Sequence, residues 1–281
     1  MAKASPNKGE VLRSIPTTRG WLTWLALNPR GVQAWGFSSE VGQGQYGEAA
    51  VSGTPVMRPL WLEFPNDQET YNNGDAFMVG NSVLVQGIYE QGQKSVSVYL
   101  PGKETWYDLR NGASYTGGKS YTLEVSEDSI PAFQKGGTIV PRKDRFRRSS
   151  TQMVEDPFTL VIALNSSVEA EGELYVDDGK SFDYELGAYI HRRFTFSNQI
   201  LSSSSIAPLS SSKKFSSDCV IERIIILGLP AGAKRAAILP ANVETDVEPG
   251  PLNLRSRSRS VALVVRKPNV RIMDDWSLRI L

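Results

Sequence analysis

The amino-acid sequence predicts a mainly β protein, in which two β-sandwich modules follow a pair of buried strands. Glycine and proline are plentiful, with 24 and 16 residues of 281, and this composition favours turns and short strands over helices. The apolar runs Pro55–Pro65 and Phe77–Tyr89 are each bounded by proline or glycine, which is typical of strands covered on both faces. From residue 93 onward, alternating segments are separated by turn signals such as Asn111-Gly112.

The two apolar runs lack a sheet of their own. Residues 66–75 between them are polar and rich in turn formers, and they leave no room for a long crossover helix. We therefore expect Met57–Phe64 and Phe77–Val85 to be enclosed by neighbours that this polypeptide does not supply. A fold in which residues 1–47 enclose both runs would overturn this expectation.

Residues 1–47 are predicted to form an irregular arm, because their aromatic residues show no sustained helical or strand period. The apolar segment Trp21–Leu27 falls far short of the roughly 20 residues of a membrane span. No small-residue cleavage site follows it. As written, the chain is predicted to carry neither a signal peptide nor an anchor, and its own compartment stays open.

The charge balance excludes a global field that would select nucleic acid, since Lys plus Arg number 31 and Asp plus Glu number 30. Two basic segments are local. Arg142–Arg148 is predicted to be a solvated linker and Arg255–Ser260 an exposed loop, because nucleic-acid binding needs a wider basic surface with stacking platforms. No nucleic-acid partner is predicted.

Residues 93–153 are predicted to form a proximal β-sandwich that ends in the basic connector. Lys94–Leu100 and Ser120–Val125 alternate between apolar and polar residues. The Asn-Gly pair after Glu104–Leu109 is the strongest short-range hairpin signal, and Gly137–Val140 continues the pattern.

Residues 154–281 are predicted to form a distal β-sandwich, which opens with Phe158–Leu164. A tight hairpin through Asp177-Asp178-Gly179-Lys180 is expected to join Glu171–Val176 to Ser181–Tyr184. The serine-rich segment Leu201–Lys214 is predicted to be a low-complexity loop or insertion.

No residue pattern indicates catalysis, a metal site or a cofactor. His191, the single histidine, lies on an alternating strand, and no Gly-x-Ser-x-Gly elbow occurs, so a satisfied histidine is favoured over a catalytic base. One histidine and one cysteine cannot supply a zinc site. Asp177 and Asp178 are adjacent and would point to opposite faces of a strand, so a turn role is favoured for them. Asp75 is interpreted as a cap or turn residue.

Aromatic residues offer a possible sugar-binding surface. Those considered are Trp61, Phe64, Trp106, Tyr107, Tyr175 and Tyr184. These residues could stack against a sugar ring or pack into the interior of a sandwich. Inward packing is the commoner outcome and is the one predicted here.

Asn165-Ser166-Ser167 fits the acceptor pattern for N-glycosylation. The segment is an acceptor if the protein meets the secretory pathway, and otherwise an ordinary turn.

Six segments, taken in order, resemble glycoside hydrolase family 31. They are Pro55–Pro65, Asp75–Val85, Tyr99–Gly102, Trp106–Asp108, Ile130–Pro141 and Glu173–Gly179. The likeness runs from about Glu48 to Leu281 and is specific as a set. It implies that residues 48–92 are a remnant, the last two strands, of a (β/α)8 barrel, followed by a proximal and a distal β-sandwich. Residues 1–47 do not resemble the family, which suggests a truncated or mis-spliced product.

The resemblance also implies an activity for the intact enzyme, the retaining hydrolysis of α-linked glucose in an α-glucosidic oligosaccharide. The likeness is greatest to plant-like members that trim N-glycans in the lumen of the endoplasmic reticulum and have a β subunit as partner. The family's Trp-x-Asp-Met-Asn type nucleophile motif and its acid/base aspartate lie on earlier barrel strands and do not occur here. No catalytic residue is carried over, the substrate-binding residues stay unknown, and no hydrolysis is expected of this chain alone. The rival interpretation is a non-catalytic carbohydrate-binding or scaffold protein.

Overall fold

The computed structural model describes residues 53–126, 130–145, 147–207, 212–229, 232–250, 252 and 262–281. Regular structure in these residues is almost all strand, with one α-helix and three short 3-10 helices among them. The predicted mainly β class is confirmed. Residues 1–47 and Arg255–Ser260, predicted as an arm and a basic loop, lie outside the described residues. None of the helices within the described ranges has the length and apolar character that a membrane crossing requires.

The elements follow the chain in this order. The strands are β1 Met57–Pro59, β2 Ala76–Val79, β3 Val83–Gln86, β4 Ser95–Leu100, β5 Thr105–Asp108, β6 Ser114–Thr116, β7 Lys119–Glu124, β8 Ala132–Lys135, β9 Thr138–Arg142, β10 Phe158–Ala163, β11 Ala170–Val176, β12 Ile190–Ser197, β13 Ile200–Ser205, β14 Val220–Leu227, β15 Arg235–Leu239, β16 Val243–Gly250, β17 Ala262–Arg271 and β18 Trp276–Ile280. Helix α1 spans Leu60–Glu63, and the 3-10 helices span Gln68–Thr70, Ser150–Met153 and Asp183–Leu186.

Strands β1 to β8 form a first module of two sheets around one apolar core. One sheet has the strand order β1-β2-β3-β8-β5-β6, and the other pairs β4 with β7. Fully buried side chains from both sheets fill the space between them, which is the arrangement of a β-sandwich. The largest are Trp106, Phe133, Leu60, Met78, Leu84 and Leu100.

The apolar run Pro55–Pro65 is not one strand. Only its Met57–Pro59 part is extended, and α1 follows directly, with Pro59 as the N-cap residue. Within α1, Leu60 is buried whereas Trp61 and Leu62 are 48% and 39% exposed. The predicted buried strand is therefore wrong after Pro59, because the helix turns two of its apolar residues outward.

The run Phe77–Tyr89 contains two strands rather than one. β2 and β3 form an antiparallel hairpin across Gly80, whose φ of +57° suits glycine. β1 pairs with β2, and β3 pairs with β8, both antiparallel. The expectation that the chain supplies no neighbours for this run is wrong for β3, which is buried along its whole length between β2 and β8.

The polar segment between the two runs packs against β4. The hydroxyl of Tyr99 donates to both carboxylate oxygens of Asp67, at 2.8 and 2.9 Å, and the N–H of Gly102 donates to the same carboxylate at 3.1 Å. Burial and the hydrogen bond with Asp67 raise the pKa of Tyr99 to about 12. Residues 66–75 thus belong to the first module.

Strands β9 to β18 form a second module, a closed, barrel-like sheet with the order β10-β14-β17-β16-β15-β18-β13-β12-β11-β9. Two of its neighbouring pairs, β10 with β14 and β9 with β11, are parallel. The predicted sandwich is thus one continuous sheet, because β9 pairs with both β10 and β11 and closes the ring. Closure removes the exposed sheet edges that invite aggregation.

The serine-rich segment Leu201–Lys214 begins as a strand and not as a loop. Its β13 part lies between β12 and β18. Leu201 and Ser203 are 0% and 2% exposed, and the Oγ of Ser203 accepts a hydrogen bond from Arg192 at 2.9 Å. The loop prediction is wrong here because the serines alternate between the interior and the surface of the barrel. Residues 208–211 lie outside the described part of the chain.

The predicted tight hairpin at Asp177–Lys180 is longer in the structure. β11 pairs with β12, and the connection between them runs from 177 to 189. The predicted strand Ser181–Tyr184 is wrong, since Asp183–Leu186 is a 3-10 helix that ends at Gly187 with φ +92°. Glycine adopts this left-handed conformation without strain.

Tyr107 and Gln134 join the two modules. The hydroxyl of Tyr107 donates to the carbonyl oxygen of Leu164 at 2.8 Å, and Nε2 of Gln134 donates to that of Val161 at 3.0 Å. Tyr107 also packs in an apolar cluster with Val161 and Ile225 of the second module. Both joining side chains are buried, so these hydrogen bonds form in a low dielectric.

The basic connector Arg142–Arg148 is partly built into the second module. Lys143 is only 6% exposed, donates to the carbonyl oxygen of Met153 at 2.8 Å and lies 4.5 Å from the centre of the Phe158 ring. The predicted solvated linker is therefore wrong at Lys143, where carbonyl and cation–π contacts replace water. Phe146 lies outside the described residues.

The exchange Asp156→Asn is expected to remove an acid-sensitive part of the stability. Asp156 is 3% exposed and accepts hydrogen bonds from Nε and Nη2 of Arg147 at 2.8 and 2.5 Å. These bonds lower the pKa of Asp156. The stabilisation is therefore complete above the unfolded-state pKa and is lost as the pH falls through the lower folded-state pKa.

Urea unfolding at pH 7 should show a loss of about 1.5–3 kcal/mol for Asp156→Asn, as expected for hydrogen bonds to a charged group. The difference from the parent should shrink below about pH 4. Arg145→Ala is the control, because Arg145 is 47% exposed and 3.9 Å from Asp156. A difference that stays constant down to about pH 2 would contradict this account.

Candidate functional site

The single histidine lies in an ion-pair network on β11 and β12. Nε2 of His191 is 2.8 Å from Oε2 of Glu173, and Nη2 of Arg193 donates to Oε1 of Glu173 at 2.9 Å. Partial burial raises the pKa of Glu173, but the hydrogen bonds from Arg193 and His191 outweigh it and hold the pKa below its ordinary value. His191 is thus a satisfied histidine, as its place on an alternating strand predicts.

Asp177 and Asp178 shape the turn after β11. Oδ1 of Asp177 accepts the N–H of Gly179 at 2.8 Å, and Oδ1 of Asp178 accepts the N–H groups of Lys180 and Ser181 at 3.0 Å. These backbone hydrogen bonds lower the pKa of Asp178. Both carboxylates therefore have the turn role that the sequence indicates.

Asp75 contributes its backbone to the hairpin of β2 and β3. Its carbonyl oxygen accepts the N–H of Gly87 at 2.8 Å, which extends the ladder of that hairpin by one bond. The contact is a bond of the strand ladder, so the cap or turn interpretation of Asp75 stays a prediction.

The buried carboxylates of the described residues are Asp108 and Asp156, and each is held by an arginine. Arg110 donates to both oxygens of Asp108 at 2.7 to 3.1 Å, in the same way as Arg147 does to Asp156. Two-carboxylate glycoside hydrolysis needs a protonated acid and a second carboxylate about 5–10 Å away. Ion-paired carboxylates do not supply such an acid. Within the described ranges, no group of three or more His, Cys, Asp and Glu residues could hold a metal ion.

The aromatic residues considered for sugar stacking divide into two groups. Trp106 and Tyr107 are 0% and 5% exposed, so the inward-packing interpretation is right for them. Trp61 and Tyr184 are 48% and 37% exposed, so it is wrong for them. Phe64 and Tyr175 are half-buried.

Tyr175 and Tyr184 belong to a larger aromatic group at the end of the β11–β12 hairpin. We call this group the aromatic hairpin surface; it consists of Tyr175, Phe182, Tyr184, Tyr189 and His191. The ring centroid of Tyr175 lies 5.0 Å from that of Tyr189 and 5.9 Å from that of His191, and the rings of Phe182 and Tyr184 are 6.1 Å apart. Burial, Asp177 and the neighbouring tyrosines 189 and 184 raise the pKa of Tyr175.

Sequence reasoning missed Phe182 and Tyr189 as members of this surface. Tyr175 pairs with His191 in the register of β11 and β12, which brings Tyr189 diagonally opposite Tyr175 on the same face. The only sequence signal was the density of aromatic residues around the Asp-Asp-Gly turn.

Asn165 lies in the turn between β10 and β11. Its Oδ1 accepts the N–H groups of Ser167 and Glu169, both at 2.9 Å. This is the turn that the sequence predicts, and glycosylation of the half-buried Asn165 stays a prediction.

Residues 53–140 match the model of the glycosyl hydrolase family 31 C-terminal domain. The chain carries the C-terminal domain of glycosyl hydrolase family 31. The family resemblance is thereby confirmed for residues 53–140, and the segment Glu173–Gly179 lies outside the residues matched.

Curated relatives of this family 31 chain are named as α-glucosidases. A probable glucan 1,3-alpha-glucosidase of Oryza sativa subsp. japonica is 71% identical over 234 residues, which are 83% of this chain and 26% of the relative. Neutral alpha-glucosidase AB of Homo sapiens is 40% identical over 235 residues, which are 83% of this chain and 24% of the relative. The chain spans about a quarter of the length of the curated relatives it matches.

Solved structures of family 31 share the fold. The crystal structure of an ER glucosidase II heterodimeric complex, with the catalytic subunit and the binding domain of the regulatory subunit, matches with a TM-score of 0.78 at 31% identity. That match covers 86% of this chain and 27% of the other. A glucosidase II alpha subunit in a Glc1Man2-bound form matches with a TM-score of 0.76 at 32% identity, over 86% of this chain and 28% of the other.

Proposed function

We propose that this chain forms the C-terminal part of a retaining α-glucosidase that removes α-linked glucose from N-glycans in the lumen of the endoplasmic reticulum. The observation that carries the proposal is the similarity over more than four fifths of the chain to a relative named as a glucan 1,3-alpha-glucosidase. The similarity to ER glucosidase II, at a TM-score of 0.78, supports the compartment, and the similarity to the Glc1Man2-bound glucosidase II alpha subunit supports the glycan substrate.

The proposed domain organisation has a barrel remnant at residues 48–92, a proximal module at 93–153 and a distal module at 154–281. The sheets cross both boundaries, because β1–β3 share a sheet with β5, β6 and β8, and β9 belongs to the closed sheet of the second module. Exposed apolar side chains on and beside α1 support a covering partner for the barrel remnant. Trp61, Leu62 and Tyr71 are 48%, 39% and 55% exposed, although Leu60 of the same short helix is fully buried. Apolar side chains clustered in this way are covered in an intact protein, and a (β/α)8 barrel would cover them here.

A second subunit is the proposed partner of the whole enzyme. The solved structure of the ER glucosidase II complex contains a catalytic subunit and the binding domain of a regulatory subunit, and its catalytic subunit shares this fold. We infer that the parent enzyme binds a β subunit of that kind.

In this proposal the two β modules brace the barrel and do not perform hydrolysis. Barrel active sites are assembled from loops at the C-terminal face of several strands. The buried carboxylates of the described residues, Asp108 and Asp156, are both held by arginines. Neither of these two carboxylates in the described part of the chain is therefore free to act as the acid or the nucleophile of a glycosidase.

The purified 281-residue chain is expected to release no nitrophenol from p-nitrophenyl α-glucoside above a mock preparation. The positive control is the rice relative, which is predicted to be active under the same conditions. Turnover by the 281-residue chain that exceeds the mock preparation and scales with its concentration would overturn the proposed inactivity.

A further inference from the structure

The aromatic hairpin surface has two exposed rings, Phe182 and Tyr184, and three half-buried ones, Tyr175, Tyr189 and His191. Phe182 and Tyr184 are 55% and 37% exposed, and Leu186 beside them is 43% exposed. The barrel interior is filled by other side chains, such as Phe158, Phe194 and Leu278. A cluster of exposed large apolar residues marks an interaction site in a soluble protein.

The segment that carries the exposed rings is held in place by hydrogen bonds. The 3-10 helix Asp183–Leu186 is closed by the N–H of Ala188, which donates to the carbonyl oxygen of Asp183 at 3.0 Å. Lys213 ties it to the next connection: its N–H donates to the carbonyl oxygen of Leu186 at 3.0 Å, and its Nζ donates to Oδ1 of Asp183 at 2.8 Å. A backbone segment held in this way loses little conformational freedom when a ligand binds.

The rings of Tyr175, Tyr189 and His191, which lie on or next to the strands β11 and β12, are also oriented by their neighbours. Glu173 holds the imidazole of His191 at 2.8 Å, and the ring of Tyr175 packs between His191 and Tyr189 at centroid distances of 5.9 and 5.0 Å. The rings of Tyr175, Tyr189 and His191 are therefore preorganised, and so is the backbone that carries Phe182 and Tyr184.

Carboxylates alternate with the aromatic residues on the same connection. Asp177 and Asp178 precede Phe182, and Asp183 and Glu185 flank Tyr184. Protein interfaces are depleted of Asp and Glu at their cores, so this mixture disfavours a protein partner. A pyranose needs both kinds of group: its C–H face rests on the negative face of a ring, and its hydroxyls donate to carboxylate oxygens. Oδ1 of Asp177, Asp178 and Asp183 already accepts hydrogen bonds from the protein, so the second oxygen of each carboxylate would accept from the sugar.

We propose that the aromatic hairpin surface is a non-catalytic binding site for neutral oligosaccharides of pyranose sugars. The site lies on the distal module and binds sugar without turnover. This proposal does not depend on the proposed α-glucosidase activity. If no sugar bound at this surface, the proposed hydrolysis by the intact enzyme would be unaffected. If the intact enzyme did not hydrolyse α-glucosides, sugar binding at this surface would be unaffected.

The test is a titration of the full 281-residue chain with glucose, nigerose and maltose by isothermal calorimetry. We expect saturable binding that is tighter for the two disaccharides, because they cover more than one ring. The double exchange Phe182→Ala and Tyr184→Ala should weaken binding about tenfold or more, the sum of two lost ring contacts. Tyr71→Ala is the matched control, since Tyr71 is a 55% exposed tyrosine on the first module and should leave affinity unchanged.

Circular dichroism and urea unfolding should confirm that the double variant folds, because both side chains are largely exposed. The proposal fails if none of the three sugars binds, or if the double variant binds them as well as the parent does. In the first case, the double variant is also tested for binding to the regulatory subunit's domain. A loss of that binding would show that the surface is a protein interface.

Discussion

The exchange Arg192→Ala is expected to destabilise the second module by about 3–5 kcal/mol, the sum of a large-to-small cavity and of the buried Ser203 hydroxyl left without its donor. Arg192 is 1% exposed and lies inside one end of the barrel. Its guanidinium donates to Oγ of Ser203 at 2.9 Å, to the carbonyl oxygen of Asp274 at 2.7 Å and to Oδ1 of Asp275 at 2.7 Å. The planar guanidinium group of Arg192 thus connects β12, β13 and the turn before β18 through hydrogen bonds.

Urea unfolding followed by circular dichroism measures this loss. Arg193→Ala is the matched control, because Arg193 is the next residue on β12, is 54% exposed and pairs with Glu173 on the surface. Exposed ion pairs contribute about 0–1 kcal/mol, so the control should change stability little. Equal losses for the two variants would show that the buried hydrogen bonds of Arg192 do not stabilise the barrel end.

Much of the strand content could be predicted from the sequence because alternation is a local property. Lys94–Leu100 and Ser120–Val125 alternate, and they correspond to β4 and β7. The segment Glu104–Leu109 likewise contains β5. Side chains on one face of a strand recur every two residues, so the buried face of a strand can be predicted from its own sequence without knowledge of the rest of the fold.

Pairing partners could not be predicted in the same way, because they depend on residues far apart in the chain. β9 and β10 belong to a closed sheet only because β9 also pairs with β11 and β10 also pairs with β14. The serine strand β13 was missed for a related reason. Its inward Ser203 is satisfied by Arg192, eleven positions earlier, and composition does not reveal such a partner.

The candidate site shows the same limit. Tyr175 and Tyr184 could be named as possible sugar-stacking residues because aromatic side chains carry both apolar area and flat faces. Whether each points inward is decided by register, which buries Trp106 and Tyr107 and leaves Tyr184 exposed. The neighbourhood of Tyr175, Tyr189 and His191 appears only once β11 and β12 are aligned.

The exchange Gly172→Ala is expected to destabilise the second module by about 3 kcal/mol, at the upper end of the range for overpacking. A Cβ added to Gly172 would lie 2.0 Å from the carbonyl oxygen of Ile139, which is backbone of β9 and cannot rotate away. Strands β9 and β11 meet here as a parallel pair, and their contact closes the barrel. Gly74→Ala is the matched control, because nothing lies within 4 Å of its added Cβ. Alanine at an open site is neutral or slightly stabilising, since it restricts the unfolded chain. If urea unfolding gave equal midpoints for the two variants, the close approach of β9 and β11 would not be what holds the barrel closed.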